Sequence, residues 1–266
     1  MANCYQQDCY VDVSGGQLFV RRWLPNNVLD QLPIILIHDS LGCVQMWRDF
    51  AEYLAQTLAR EVIAYDRLGF GKSSSVSQKP DFNFIEHEAK IVFPQLCQAL
   101  NLQKAILFGH SVGGVMALTI ASDSASRSLC QAVISESAQA YVQERTLAGI
   151  LAAKEYFSNA HAFAKLAKYH GEKAQWVLAA WTDTWLDPAF ACWCLDAYLE
   201  AVKCPVLVMH GDQDEYGTTD FAHRIAQGVS GFSQTVILNT IKHVPHRQCP
   251  QKVVTSISSF LAGIQS

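Results

Sequence analysis

A serine with a glycine two positions before it and another two positions after it stands at residues 109–113, where the chain reads Gly-His-Ser-Val-Gly. This spacing is typical of a serine on a sharp turn between a strand and a helix. Residues 104–108 form a short apolar run that favours a buried strand, and residues 112–122 are apolar and free of proline, which favours a helix. The pattern therefore predicts that Ser111 presents its hydroxyl at the end of a strand, as a nucleophile.

The elements around this turn alternate between strand and helix patterns. The predicted strands are 10–13, 17–23, 33–37, 61–65, 104–108, 132–135, 206–209 and 235–238, and the predicted helices are 45–58, 84–100 with an interruption at Pro94, 112–122, 221–227 and 253–261. The short turn between the first two strands predicts a hairpin. Such alternation predicts an α/β fold with a doubly wound, mostly parallel sheet of about eight strands, covered by helices on both faces.

One long segment breaks this alternation. Residues 141–203 are rich in alanine and tryptophan and carry helical patterns without a convincing strand. We expect this segment to form an inserted helical cap over the carboxyl edge of the sheet, where open α/β sheets bind ligands. The division that follows is a core of residues 1–140 and 204–266 and a cap of residues 141–203.

Composition excludes several classes of protein. The net charge of −4 and the pI of about 6.1 favour neither nucleic acid nor an anionic membrane surface as a partner. The first eight residues lack the basic start and apolar run of a secretory signal, and no stretch approaches the roughly 18 apolar residues of a membrane span. Nine cysteines without a C-x-x-C pair fit reduced thiols, so we expect a cytoplasmic protein without a metal site.

Segments on both sides of the serine turn carry a resemblance to a known family. They are His-Asp-Ser-Leu-Gly at 38–42, Asp-Arg-Leu-Gly-Phe-Gly-Lys-Ser at 66–73, Gly-Asp-Gln-Asp at 211–214 and Lys-His-Val-Pro-His at 242–246. Together with the serine turn they resemble, in order and spacing, the α/β-hydrolases that carry a helical cap. The resemblance covers nearly the whole chain outside the cap.

The resemblance implies a catalytic triad and an oxyanion hole. Ser111 would be the nucleophile, His243 the general base and Asp214 the acid that orients it. The backbone amides of Ser40 and Val112 would stabilise the oxyanion. No metal or organic cofactor is needed for this chemistry.

Each of these roles has rivals in the sequence. For the base they are His38, which resembles a structural histidine of the family, His110 at the variable position of the serine turn, and His246. For the acid they are Asp212, a turn carboxylate, and Glu136, which ends a predicted strand and is our substitute if Asp214 points away. Asp66 is expected to be structural.

The pocket is the part of the site that the sequence describes least. Cys43, His110, Trp181 and Trp185 are predicted to line it, although Cys43 could equally be a small buried hydrophobe and the tryptophans part of a core. Asp39 stands where the family usually has glycine. We expect it to hold the bend of the loop with its own hydrogen bonds rather than face the oxyanion.

The function expected from these residues is hydrolysis of a small, largely apolar carboxylic ester through an acyl-enzyme. The alternative is a small-molecule sensor on the same scaffold with slow or vestigial hydrolysis. Cleavage of lactones, thioesters, carbon–carbon bonds or N-terminal residues ranks lower. The expected partner is a small-molecule substrate, and the oligomeric state is open.

Overall fold

The fold is built on one eight-stranded sheet. The structure is a computed structural model that describes residues 4–27 and 31–265. The strands are β1 (Cys4–Val13), β2 (Gly16–Pro25), β3 (Ile34–Ile37), β4 (Val62–Tyr65), β5 (Ala105–His110), β6 (Cys130–Glu136), β7 (Val206–Gly211) and β8 (Ser233–Leu238). Their order is β1-β2-β4-β3-β5-β6-β7-β8. β1, β2 and β4 pair antiparallel and all other pairs are parallel, so the predicted sheet is confirmed.

Helices cover both faces of this sheet. They are α1 (Phe50–Leu58), α2 (Phe84–His87), α3 (Phe93–Ala99), α4 (Val112–Ser122), α5 (Glu144–Ser158), α6 (Ala160–His170), α7 (Ala174–Trp185), α8 (Asp196–Leu199), α9 (Asp220–Gly228), α10 (Pro245–Gln248) and α11 (Pro250–Gln265). Side chains of β3 alternate between the two resulting cores: Ile35 and Ile37 pack on one side, Ile34 and Leu36 on the other. This alternation of a fully buried strand is the doubly wound arrangement.

Two predicted helices are interrupted. The segment 45–58 divides at Arg48, whose φ of 51° lies in the left-handed region, into a 3₁₀ turn and α1. The segment 84–100 contains a π-helical stretch, Glu88–Val92, just before Pro94. Because proline lacks an N–H and its ring crowds the carbonyl four residues earlier, here Lys90, the helix widens at that point.

Helices α5 to α8 lie between β6 and β7, as the alanine- and tryptophan-rich segment predicted. The strand-like pairing that the described chain shows within 141–203 is a single bridge between Tyr141 and Cys194. The division into a core and a cap stays a prediction. Residues 1–3 and 266, at the ends of the predicted core, lie outside the described residues. Residues 1–3 also belong to the first eight residues, which were predicted to lack a secretory signal. Within the described ranges, every helix is too short or too polar to span a bilayer.

Candidate active site

Ser111 occupies the turn between β5 and α4. Its φ of 56° and ψ of −125° are strained for a residue with a side chain. A Cβ atom on Gly109 would lie 2.0 Å from the carbonyl oxygen of Gly113, and one on Gly113 would lie 2.1 Å from that of Ile37. Only glycine fits at either position, so the two glycines allow the close approach that holds the turn.

His243 and Asp214 form a buried pair. The Nδ1 atom of His243 lies 2.8 Å from Oδ2 of Asp214, and the backbone N–H of Tyr216 donates to Oδ1 at 2.7 Å. Burial disfavours the charged carboxylate, but the charge and hydrogen bond of His243 outweigh it and lower the pKa of Asp214. With Asp214 ionised, Nδ1 carries the proton and Nε2 keeps the lone pair that a general base needs.

Ser111 and His243 line the same cavity, which has a volume of about 220 Å³. Its wall consists of Asp39, Ser40, Leu41, Met46, Ser111, Gln139, Thr146, Ile150, Trp181, Trp185, Glu215, Tyr216, His243 and Val244. The hydroxyl of Ser111 lies 3.4 Å from Nε2 of Gln139, the side chain with which it forms its hydrogen bond. In the described structure Ser111 and His243 share the cavity wall without a hydrogen bond between them, and such a bond often forms only once substrate is seated.

Two backbone amides are available beside the nucleophile. Val112 begins α4, and the first N–H groups of a helix have no acceptor within it. Ser40 lies on the cavity wall. Among the described residues, neither of these two N–H groups finds a hydrogen-bond acceptor. These are the amides predicted to stabilise an oxyanion.

Asp39 turns its carboxylate into its own loop. Oδ1 accepts a hydrogen bond from the backbone N–H of Leu41 at 3.0 Å, and Oδ2 lies 3.3 Å from Nδ1 of His110. A Cβ atom on Gly42 would lie 2.6 Å from Oδ1, so glycine at that position makes room for the bend. Both oxygens therefore have partners within the loop and behind it.

The ring of His110 is held between two acceptors. Its Nε2 lies 2.8 Å from the carbonyl oxygen of His243, opposite the Asp39 contact at Nδ1. A neutral imidazole has one N–H, so both contacts are hydrogen bonds only when the ring is charged. Burial opposes that charge, but the hydrogen bond and charge of Asp39 outweigh it and raise the pKa of His110. His110 thereby connects the Asp39 loop to the loop that carries His243.

Two of the four predicted pocket residues line the cavity and two do not. Trp181 and Trp185 lie on the wall of the cavity. His110 and Cys43 do not, which corrects the expectation for both. The His110 ring is drawn inward by its two acceptors, and Cys43 is buried, where desolvation raises its pKa to about 12. Of the two alternatives for Cys43, a pocket residue or a small buried hydrophobe, the structure supports the second.

A second histidine–carboxylate pair lies behind the first. Nδ1 of His246 lies 2.5 Å from Oε2 of Glu136, and both side chains are buried. Glu136 therefore serves His246 and not His243, so it is not the acid of the pair that reaches the cavity. Oε1 of Glu136 has no hydrogen-bond partner in the described part of the chain. Ligand-type atoms of His110, Glu136 and His246 lie within 4.8 Å of one another; that the chain needs no metal stays a prediction.

The remaining rivals have structural partners. Nε2 of His38 accepts the backbone N–H of Arg67 at 3.1 Å, and Asp212 accepts that of Thr240 at 2.6 Å. Asp66 accepts backbone N–H groups of Val44 and Lys72 and so ties two loops together. None of these three side chains lines the cavity with Ser111.

Sequence reasoning missed Gln139, Glu215 and Tyr216. The rings of Tyr216 and His243 pack edge to face, with centres 4.7 Å apart. The side chain of Glu215 accepts the backbone N–H of His243 at 3.3 Å. Both follow Asp214 directly, so their place in the acid loop was a signal for them. Gln139 follows the carboxyl end of β6, and only that placement could have indicated it.

The fold and the sequence both have relatives. A family model for the alpha/beta hydrolase fold matches residues 33–178. The pig protein 1-acylglycerol-3-phosphate O-acyltransferase ABHD5 is 30% identical over 115 residues, which cover 43% of this chain and 32% of the relative. The chain thus spans about a third of the length of that relative.

Solved structures match over nearly the whole chain. One is a membrane phospholipase A, a bacterial virulence factor, with a TM-score of 0.78 and 19% identity over 98% of this chain and 87% of that one. Another is the carboxylesterase CesB from Bacillus subtilis, with a TM-score of 0.73 and 19% identity over 97% and 92%. At these identities the likeness is one of fold.

Proposed function

Because this chain belongs to the alpha/beta hydrolase fold family, we propose that it is a serine hydrolase that cleaves a small, largely apolar carboxylic ester. One observation carries the proposal. Ser111 on its strained turn and His243, paired with Asp214 at 2.8 Å, line one cavity together with Ser40. A nucleophile, a base and an amide donor around one space are what acyl transfer requires.

The reaction follows from these positions. Nε2 of His243 takes the proton of Ser111 as Oγ attacks the ester carbonyl, and Asp214 stabilises the imidazolium that forms. The N–H groups of Ser40 and Val112 stabilise the oxyanion of the tetrahedral intermediate. His243 then protonates the leaving alcohol. In the second half, His243 activates water, which releases the acid and restores Ser111.

The wall of the cavity supports the substrate class. Seven of its fourteen residues are apolar or aromatic: Leu41, Met46, Ile150, Trp181, Trp185, Tyr216 and Val244. Its volume of about 220 Å³ lies below the roughly 300–1,000 Å³ of pockets for drug-sized ligands. A short acyl or alkyl group therefore fits this space better than a long chain.

The experiment is hydrolysis of 4-nitrophenyl acetate, butyrate and dodecanoate, together with labelling by a fluorophosphonate. Butyrate should turn over many times and faster than dodecanoate, and mass spectrometry should find the label on Ser111. Ser111→Ala should lose turnover and labelling. Ser135→Ala is the matched control, because Ser135 is a buried serine whose hydroxyl has no partner in the described chain. Labelling that persists in Ser111→Ala would refute the proposal.

Other outcomes identify the alternatives. A single stoichiometric release of nitrophenol without turnover would favour the sensor. Rapid release from an N-terminal proline amide, with inert esters, would favour an aminopeptidase. Product that appears only when an alcohol acceptor is added would favour acyl transfer, the activity named for the ABHD5 relative.

A further inference from the structure

A second, larger cavity of about 620 Å³ adjoins the first. Ser40, Trp181 and Trp185 line both, and Val112 lines the larger one. Since Ser40 and Val112 carry the proposed oxyanion hole, an ester seated there has space on two sides. One side is the small apolar cavity with His243, and the other is this larger one.

Arg67 gives the larger cavity a buried positive charge. It lies on the wall, with 6% of its surface exposed. Nη2 donates to the carbonyl oxygen of Asp39 at 2.8 Å, and the guanidinium carbon lies 4.3 Å from the centre of the Phe70 ring. In the described part of the chain Nε has no hydrogen-bond partner and no carboxylate lies within ion-pair distance of this guanidinium, although the charges of Glu88 and Asp39 act on it from further away.

A buried charge with no carboxylate in contact and with one N–H left without an acceptor is costly to keep in a fold, even where carboxylates lie further away. A backbone carbonyl and an aromatic face offset part of that cost, and an anionic oxygen accepting from the guanidinium would offset more. A buried polar group without a partner calls for an explanation, and a ligand that would supply the partner is one such explanation. Arg67 therefore indicates the chemistry of a bound group rather than that of a fold contact.

The other charged groups of this cavity limit the choice of anion. Glu88 is the second buried charged group. Tyr65 donates to its Oε1 at 2.6 Å, and burial raises its pKa although the charge of Arg67 acts against that rise. Lys79, Asp81 and His87 are exposed. The raised pKa of Glu88 weakens its negative charge, so the single buried cation, Arg67, suits a group with one negative charge better than a phosphate dianion.

We propose that the larger cavity binds a carboxylate carried by the substrate, and that Arg67 is the residue that recognises it. This inference rests on the proposed ester hydrolysis and narrows its substrate to an ester with a free acid on one side. Small uncharged groups would occupy the cavity beside His243. Arg67 is thus a specificity residue and takes no part in the bond-breaking steps.

The test measures binding to the full chain carrying Ser111→Ala, so that it does not depend on turnover. Two ester pairs differ only in whether an acid is free: phenyl hemiglutarate against methyl phenyl glutarate, and 4-carboxyphenyl butyrate against its methyl ester. In one pair, calorimetry should give the free acid at least about tenfold tighter binding, in the range of a charge-assisted hydrogen bond. The pair that responds shows which half of the ester enters the larger cavity.

The variants decide whether Arg67 is responsible. Adding Arg67→Gln should abolish the preference, and Arg67→Lys, which keeps a charge but loses the planar fork, should retain part of it. Lys79→Gln is the matched control, since it removes an exposed positive charge from the same wall. Melting temperatures establish that each variant is folded.

Three results would overturn the inference: no preference in either pair, a preference that survives Arg67→Gln, or an equal loss in Lys79→Gln. The first of these needs no Arg67 variant, so the inference can fail even if Arg67→Gln does not fold. A clear preference in a protein that turns over no ester would instead count against the proposed hydrolysis alone.

Discussion

Among the histidine–carboxylate contacts of the described residues, two short hydrogen-bonded pairs lie next to each other, and one of them lines the cavity with Ser111. His243 pairs with Asp214 at 2.8 Å, and His246 pairs with Glu136 at 2.5 Å. The ring of His110 lies between them, with its centre 5.0 Å from that of His243 and 4.9 Å from that of His246. Two hydrogen-bonded pairs of the same chemical type therefore lie on either side of one histidine ring.

The two pairs differ in what surrounds the imidazole. The His243 ring lies on the wall of the cavity with Ser111 and contacts Tyr216. The His246 ring packs against Trp47 and Phe50, with ring centres 4.8 and 5.3 Å away, and is 3% exposed. A base must reach the proton that it takes, so access, and not pairing with an acid, separates a catalytic pair from a structural one.

Replacing the two histidines should give the largest contrast. We expect His243→Ala to lower kcat on 4-nitrophenyl butyrate by at least about 10³-fold, because the loss of the base in a triad is severe. His246→Gln should lower it by less than about tenfold and reduce stability instead. Steady-state kinetics and melting temperatures of both variants provide the measurement. Equal losses of kcat would show that the buried pair takes part in the reaction.

Replacing Asp214 should likewise lower kcat far more than replacing Glu136. Asp214→Asn should cost about 10³-fold in kcat, because an amide no longer holds His243 in the required tautomer or stabilises its charged form. Glu136→Gln should leave kcat within about tenfold, since its partner lies away from the cavity. The comparison uses single-substrate kinetics with circular dichroism to verify folding. A Glu136→Gln variant as slow as Asp214→Asn would mean that Glu136 is the acid after all.

Asp39 connects the two pairs through His110 and should show an intermediate effect. Asp39→Gly removes the hydrogen bond to Leu41 and the charge beside His110, so we expect kcat/KM to fall by about tenfold, with a lower melting temperature. Asp39→Asn keeps an acceptor for Leu41 and should lose less. A gain in kcat/KM for both variants would show that the carboxylate opposes the oxyanion, and would favour the sensor.

The smallest effect concerns pH and the buried pair. Burial lowers the pKa of His246, although the charge of Glu136 acts against it. The unfolded chain takes up this proton below the ordinary histidine value of about 6.5 while the folded one does not, so this group's contribution to stability falls as the pH decreases below that value. Above it the contribution is fully present.

His246→Gln isolates that contribution, because glutamine does not titrate but can still donate to Glu136. Its free energy of unfolding, measured in urea at pH 7.5, 6.5 and 5.5, should fall less steeply than that of the unsubstituted protein. One proton corresponds to about 1.4 kcal/mol per pH unit at most. Parallel slopes would indicate that folding leaves the pKa of His246 unchanged, and a steeper fall for the variant would indicate that His246 is protonated in the fold.

Much of the fold was predictable because it depends on local pattern. Buried strands read as short apolar runs, and the turn at Ser111 requires glycines at positions set by backbone contacts alone. The breaks at Arg48 and before Pro94 were harder to place. Proline marked the second, whereas nothing in the local pattern of residues 45–58 indicates a left-handed residue at position 48.

The amino-acid sequence by itself determined the α/β order, the position of Ser111 at the end of β5, and a short set of histidines and acids that could serve it. Only the tertiary structure decided which acid meets which histidine, that Asp39 bends back to Leu41, and that Arg67 donates to the carbonyl of Asp39 beside the oxyanion loop. The reason is physical. Spacing along a strand or turn specifies where a residue leaves the sheet, but the packing of different loops decides which residues become partners. Residues 214 and 243, like 136 and 246, meet because β6, β7 and β8 lie side by side.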